Sequence, residues 1–490
     1  MTRAGRAGRG TAAEAVRRGG RRAGRRVAAG AGAALVGAAW CVVAPAGAAR
    51  ATETPPPYAF ADDARTVAGT PSSTGSRTLT PGTTYRSAIA HPGAGGTTTL
   101  YYRLELGAED NVHASVTALP TPGSRVGFAD GIRVAVEDAN GFDCDAGSAR
   151  FGAARSPRPL TASALRTVGT DDSRCAAAGT YYVVVERTAA SGASAAARSE
   201  KPSTPEEWDL ELYVTSEPAV AERRATTPPA EQDAPTPAPP AGPARPREGG
   251  SGFSTAEALG RGVWGDRVAP GQTRYYRVPV DWGQRLTATV ELGGARGAGG
   301  PGGAGGRAGG REYVTSALVV SVFNPARMPV QDMDTAYDGS QKSTTLPSLV
   351  PVAYENRYAP IDRIATVRFA GWYYLAVTLH PDVGARFGRG PVGLTLRVGV
   401  TGERRAGPKY AGTARPADAF GVTGREESAA RDGAAGTPGP TGVAAPGRSE
   451  SAAMKVLAAA GIGTGTALLA VLGVWTLVGR RRAAGRRVSA

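Results

Sequence analysis

Two pairs of aspartates, each split by one residue, have the clearest chemical potential in this chain: Asp143-Cys144-Asp145 and Asp332-Met333-Asp334. Carboxylates at that spacing in a loop can share a hard cation, and Asp338 would add a ligand to the second pair. Calcium takes about six to eight oxygens, so backbone carbonyls and water would complete either shell. The alternative is that these aspartates cap turns by accepting nearby backbone N–H groups. The histidines offer less. His91 and His380 each precede a proline, and His113 lies near a strand. The chain has no G-x-S-x-G, H-E-x-x-H, P-loop or kinase motif. A Ser-His-Asp triad needs no sequence adjacency, so the discriminating observation is a histidine within hydrogen-bond reach of a Ser or Asp in a cleft. With no catalytic residue to name, the expectation is a protein that is not an enzyme.

The chain has three cysteines. Cys41 falls in an N-terminal export segment, which leaves Cys144 and Cys175 as an even pair in an exported context. That pair reads as a disulfide. A metal pair or two free thiols are the alternatives, and three scattered histidines supply a zinc site poorly.

Both termini speak for export and anchoring. Residues 1–26 hold nine arginines against Glu14, an apolar run follows, and Ala46-Gly47-Ala48 closes it. A basic region, a short apolar core and an A-x-A site predict a signal peptide over 1–48. At the other end, 456–478 is uncharged and long enough to cross a bilayer as a helix. Arg480-Arg481-Arg482 and two more arginines follow it, so the tail 479–490 is expected in the cytoplasm and the N-terminus outside. Gly461 and Gly465 form a G-x-x-x-G that would let two such helices pack closely as a homodimer.

This topology also explains the net charge of +15. The export segment, the tail and Lys455 account for all but one of those positive charges. A near-neutral exterior gives no electrostatic footprint for a phosphate backbone, which excludes nucleic acid as the expected partner.

The elements that must position these residues are strands. Tyr102, Leu104 and Leu106 alternate with polar neighbours, as do Leu210, Leu212 and Val214, then Tyr276, Val278 and Val280, then Leu394, Leu396, Val398 and Val400. Period-two patterning punctuated by Gly, Pro and Asp predicts an all-β protein of two antiparallel sandwiches, at 58–217 and 253–402. Between them, 218–252 reads as a Pro/Ala-rich linker, and 403–453 reads as a disordered stalk.

The two segments repeat one order of motifs: a Tyr-Tyr-Arg strand (Tyr101–Arg103, Tyr275–Arg277), an apolar strand, Asp-x-Asp, a Gly-x-Tyr-Tyr strand (Gly179–Tyr182, Gly371–Tyr374) and a Leu-x-Leu-x-Val strand. In that register Cys144 falls on Met333 and Cys175 on Val367, so Met333 is expected against Val367. The motif order resembles the bacterial pre-peptidase C-terminal domain, a small jelly-roll-like sandwich of exported proteins often found beside proteases. Here the residues after Asp-x-Asp are Ala146-Gly147 and Thr335-Ala336, where that family has Leu-Tyr. The Ala/Gly/Arg/Pro-rich, Lys-poor composition resembles proteins of high-GC actinobacteria.

The expected function is therefore display: two sandwiches presenting a binding surface to a surface protein or an envelope polysaccharide, with exposed tyrosines able to stack on sugar rings. The rival is an envelope hydrolase or processing enzyme with the sandwiches as accessory modules.

Overall fold

The computed structural model describes residues 57–93, 96–168, 175–189, 203–222, 225–228, 237–295 and 313–432. The expected signal peptide 1–48, the expected membrane helix 456–478 with Gly461 and Gly465, and the tail 479–490 lie outside the described residues. Among the described residues no helix is long and apolar enough to cross a membrane.

Alternating side chains build two β-sandwiches. In the first, one sheet has the order β1 (Arg65–Thr66), β3 (Thr84–Ile89), β10 (Trp208–Glu217), β5 (Asn111–Leu119), β8 (Leu160–Arg166). The other runs β2 (Arg77–Thr78), β4 (Thr97–Leu106), β9 (Gly179–Thr188), β6 (Gly131–Asp138), β7 (Asp143–Arg150). The second sandwich repeats both orders strand for strand. Its sheets are β11 (Arg245–Pro246), β13 (Gly262–Val268), β20 (Val392–Thr401), β15 (Arg285–Leu292), β18 (Lys342–Leu346), and β12 (Glu257–Ala258), β14 (Thr273–Val280), β19 (Gly371–Leu379), β16 (Val314–Phe323), β17 (Pro329–Tyr337). The inward rows Leu104, Val116, Val134, Val183 and Leu212 close the first core, and Val278, Val290, Val320, Leu375 and Leu396 the second; all are buried. Short helices α1 (Asp362–Ala365), α2 (Pro381–Phe387) and α3 (Gly424–Asp432) complete the described chain.

The Cys144–Cys175 disulfide is present, with the Cα atoms 5.8 Å apart. Buried Arg166 organises the chain beside it by donating to the carbonyls of Cys175, Ala176, Ala177, Gly107 and Asp110. Five carbonyl acceptors offset the desolvation cost of that cation.

Strand pairing corrects the repeat register. Tyr181 lies opposite Leu104 and Tyr373 opposite Val278, which matches the tyrosine motifs as expected. Val136 then pairs with Val183 and Asp145, and Val322 pairs with Leu375 and Gln331. Both ladders slip at the next step, to Glu137–Asp143 and Phe323–Pro329. The counterpart of Cys144 is thus Val330, three residues from Met333. Val330 is buried in the same apolar cluster as Val367, and Met333 packs on that cluster's margin. The Asp-x-Asp pattern misled because it recurs at different heights on the two strands.

Two segments depart from the linker and stalk expectations. Within 218–252, Val220 bridges Tyr410, Gly250 bridges Tyr275, and Arg245–Pro246 is β11 itself, so the second sandwich begins before 253. A proline is tolerated there because β11 is an edge strand. Residues 403–432 form a strap across both sandwiches. Gly407 lies so close to the Trp282 indole that a side chain would collide with it. Arg415 bridges Ser216, Phe420 stacks on Phe369 with ring centroids 4.2 Å apart, and Trp372 donates to Glu426 at 2.8 Å.

Candidate functional site

β5 is buried along its whole length, because its second face is covered by the other sandwich. Val112, Ala114, Val116 and Ala118 serve the first core. His113, Ser115 and Thr117 face the neighbour, beside Glu211, Tyr213, Thr215 and Glu217 of β10. Glu217 receives both Arg357 Nη atoms (3.0 and 2.6 Å) and the Tyr410 hydroxyl (2.8 Å). Burial alone would raise its carboxyl, but Arg357, with His113 beside it, outweighs burial and holds it at about 2. Glu211 meets Arg327 at 3.2 Å and accepts from Tyr58. Arg327 also lies over the rings of Tyr213 and Phe253, 4.1 and 4.9 Å from their centroids. Breaking either buried pair would strand a charge, so these pairs fix how the sandwiches meet.

At one end of this junction a cleft of about 1580 Å³ opens between the sandwiches. The first sandwich contributes 119–126, which follows β5, then 153–159 before β8, and the start of β10. The second contributes the β13–β14 turn, the start of β16 and the end of β19. These are loops or strand ends, and Arg86 reaches in from the middle of β3. The strap crosses the opposite ends of the same elements. β10 runs from Asp209 in the cleft to Ser216 against Arg415, and β14 from Thr273 in the cleft toward Trp282 against Gly407. β19 runs from Trp372, bonded to Glu426, up to His380 in the cleft. Ala430 in α3 accepts from Gly260 N, just before β13. The described chain therefore leaves at Asp432 from the pole away from the cleft, separated from it by strands of about 30 Å.

Five arginines line the cleft (Arg86, Arg125, Arg155, Arg158, Arg386), against Glu207, Asp209 and Asp382. Arg86 is paired with Asp209 at 3.1 Å and stacked over Phe60. Arg155 ends the 3₁₀ turn Gly152–Ala154 in the left-handed region, at φ 45°. Arg386 donates to the Tyr313 carbonyl at 2.7 Å, and the Tyr313 ring is 57% exposed on the rim.

The sequence-predicted residues fall as follows. His380 lies in the cleft, but both ring nitrogens are engaged by backbone: Nε2 with Ala154 O at 2.8 Å and Nδ1 accepting from Asp382 N at 3.0 Å. A carbonyl takes the Nε2 proton and an amide takes the Nδ1 lone pair, so the neutral ring fits. Burial lowers its pKa accordingly. This histidine caps α2 and ties one sandwich to the other. His113 is buried, edge-on to Phe369, with Nε2 3.9 Å from Glu217; burial lowers its pKa too. His91 is outside the cleft and accepts from Gly93 N. Among the described residues no histidine is bonded to a serine hydroxyl or an aspartate carboxylate.

The aspartates stand on strands, not in a shared loop. Asp143 pairs with Arg133, while half-buried Asp145 accepts from Leu165 N at 3.1 Å and ties β7 to β8. Asp334 accepts from Ser316, and Asp332 and Asp334 act together on Arg158 of the first sandwich. Asp338 caps the turn after β17, bonded to Ser340 and Lys342. Among the described residues no three His, Cys, Asp or Glu side chains gather as a metal set. Glu211, Glu217, Arg327 and Arg357 were not legible as a junction. The signal that could have found it is the outward row of β5, whose His, Ser and Thr carry no fixed charge.

No family model matches the chain, and no curated protein matches it. Among solved structures it is similar to the pre-peptidase C-terminal domain of a collagenase from Bacillus anthracis, at 15% identity over 28% of this chain and 93% of that chain, with a TM-score of 0.16. The CUB1-EGF-CUB2 region of human MASP-1/3 is similar at 8% identity, over 64% of this chain and 99% of that one (TM-score 0.15). A CBM22 tandem from Paenibacillus barcinonensis is similar at 10%, over 65% and 93% (TM-score 0.15).

Proposed function

We propose that this chain is a non-catalytic binding protein of the cell surface, anchored once in the membrane through 456–478, with the tail 479–490 inside. The two sandwiches act as one unit, and the cleft between them is the surface that meets the partner. The observation that carries this reading is the cleft itself. It is large, jointly walled and braced by buried ion pairs, and the one histidine in it is spent on structure. Its position at the pole opposite the chain's exit at Asp432 suits an outward-facing receptor site. The test is crosslinking and pull-down of the tagged full-length protein on intact cells. Capture should be lost in a cleft variant, Arg125→Glu with Arg386→Glu, and kept in Arg103→Glu on an exposed sheet face. Capture indifferent to the cleft, or turnover of envelope polymer by the purified protein, would sink the reading.

A further inference from the structure

The composition of the cleft narrows what it can hold. At about 1580 Å³ it exceeds the roughly 300–1,000 Å³ of small-molecule pockets, so the occupant is extended. Of the five arginines in its lining, Arg86 is offset by Asp209 and Arg158 by Asp332 and Asp334. The cationic side of the cleft is therefore the exposed rim of Arg125, Arg155 and Arg386, with Glu207 and Asp382 beside them. The planar fork of arginine matches carboxylate groups in particular. Peptide recognition by strand addition needs an open sheet edge; Arg86 comes from within β3, where β1 already pairs with Tyr85 and Arg86, and the other walls are loops and strand ends. Pro120, Pro122, Pro157, Pro159, Pro270 and Pro381 further strip the walls of backbone donors while holding them rigid. Recognition must therefore come from side chains, and the exposed Tyr313 ring beside Arg386 offers a flat apolar platform next to a cation. We infer that the cleft binds an acidic polysaccharide, with arginines on its carboxylates and Tyr313 against a sugar face. This rests on the reading of the cleft as the partner surface and names the chemistry of that partner.

The experiment uses the full-length chain purified in detergent and three soluble polymers: polygalacturonate, neutral dextran and poly-L-glutamate. Polygalacturonate should bind, dextran should not, and polyglutamate should bind more weakly because it lacks a sugar face. Raising the salt from about 0.05 to about 0.5 M should weaken binding, since the rim arginines are solvent-exposed. Arg125→Glu with Arg386→Glu should lower the affinity at least roughly tenfold, and Tyr313→Ala several-fold, while Arg103→Glu leaves it unchanged. Equal binding of dextran, preference for polyglutamate, or wild-type affinity in the double reversal overturns the inference. If a reversal variant does not fold, the salt and polymer selectivity of the wild type decide. Should polygalacturonate fail to bind while cell-surface capture still depends on the cleft, the acidic-polysaccharide assignment falls and the receptor reading stands.

Discussion

Glu217 shows how much one side chain carries. Its carboxylate has essentially no exposure, and it takes two bonds from Arg357, itself 3% exposed. Glu217→Gln should leave Arg357 buried with its Glu217 counter-charge gone and cost about 3–5 kcal/mol, read by urea denaturation. A loss below about 1 kcal/mol would mean that water reaches the guanidinium. The acid limb follows from the same group. Its folded pKa of about 2 lies below the unfolded value, so its contribution is full above about pH 4.5 and lost as pH falls through about 2. His113 and His380 act higher on the scale. Burial depresses both, so the unfolded chain takes up protons near pH 6.5 before the folded one does, and stability falls as pH drops below that point. Around His113 stand Glu217, Arg357 and Arg368; around His380, Asp382, Arg158 and Arg386. Asp145, raised by burial, opposes them, gaining stability as pH falls. Melting from pH 7.5 to 5.5 should therefore drop in the wild type and flatten in His113→Asn with His380→Gln. An unchanged slope would assign the effect elsewhere.

The strap shows what an element can hide from its sequence. Residues 403–432 are rich in Gly, Ala, Pro and charge, and nothing in them repeats at 2 or 3.6 residues. Yet single aromatic residues dock at intervals: Tyr410 on Glu217 and Phe420 on Phe369. Isolated anchors leave no period to read. The sandwich strands were legible because each of Leu104, Val278 and Leu396 has apolar partners two residues away. β1, β2, β11 and β12 were not, since two residues cannot alternate. Likewise the Asp-x-Asp pairs pointed to a loop site, whereas strand register put them on ladders and gave Asp332 and Asp334 to Arg158. Phe420→Ala tests the strap. The ring is buried, and its loss should cost about 3 kcal/mol and expose Phe369. Limited proteolysis should then cut within 403–432 first. Wild-type stability in this variant would mean the strap is a passenger.

At the scale of the whole molecule, two sandwiches of the same strand order either unfold as one or separately. Domains in a chain commonly meet over small polar contacts and move independently. Here the hairpin between β16 and β17 puts Arg327 into the face of the first sandwich, at φ 57°. There its carbonyl accepts from Ser115, and its guanidinium meets Glu211 within a ring of Tyr58, Tyr213 and Phe253. Shortening that side chain removes the cation from its aromatic enclosure and leaves Glu211 buried and unpaired. Arg327→Ala should accordingly cost about 3–5 kcal/mol. Because the loss falls on the junction and not on either core, it should also split a single calorimetric unfolding transition into two. Replacing both partners, Glu211→Leu with Arg327→Met, removes the stranded charge and should restore much of the stability. Two transitions already present in the wild type would mean that the junction does not couple the sandwiches. The cleft would then vary in width from molecule to molecule, and small-angle scattering of the wild type and Arg327→Ala would show no difference in spread.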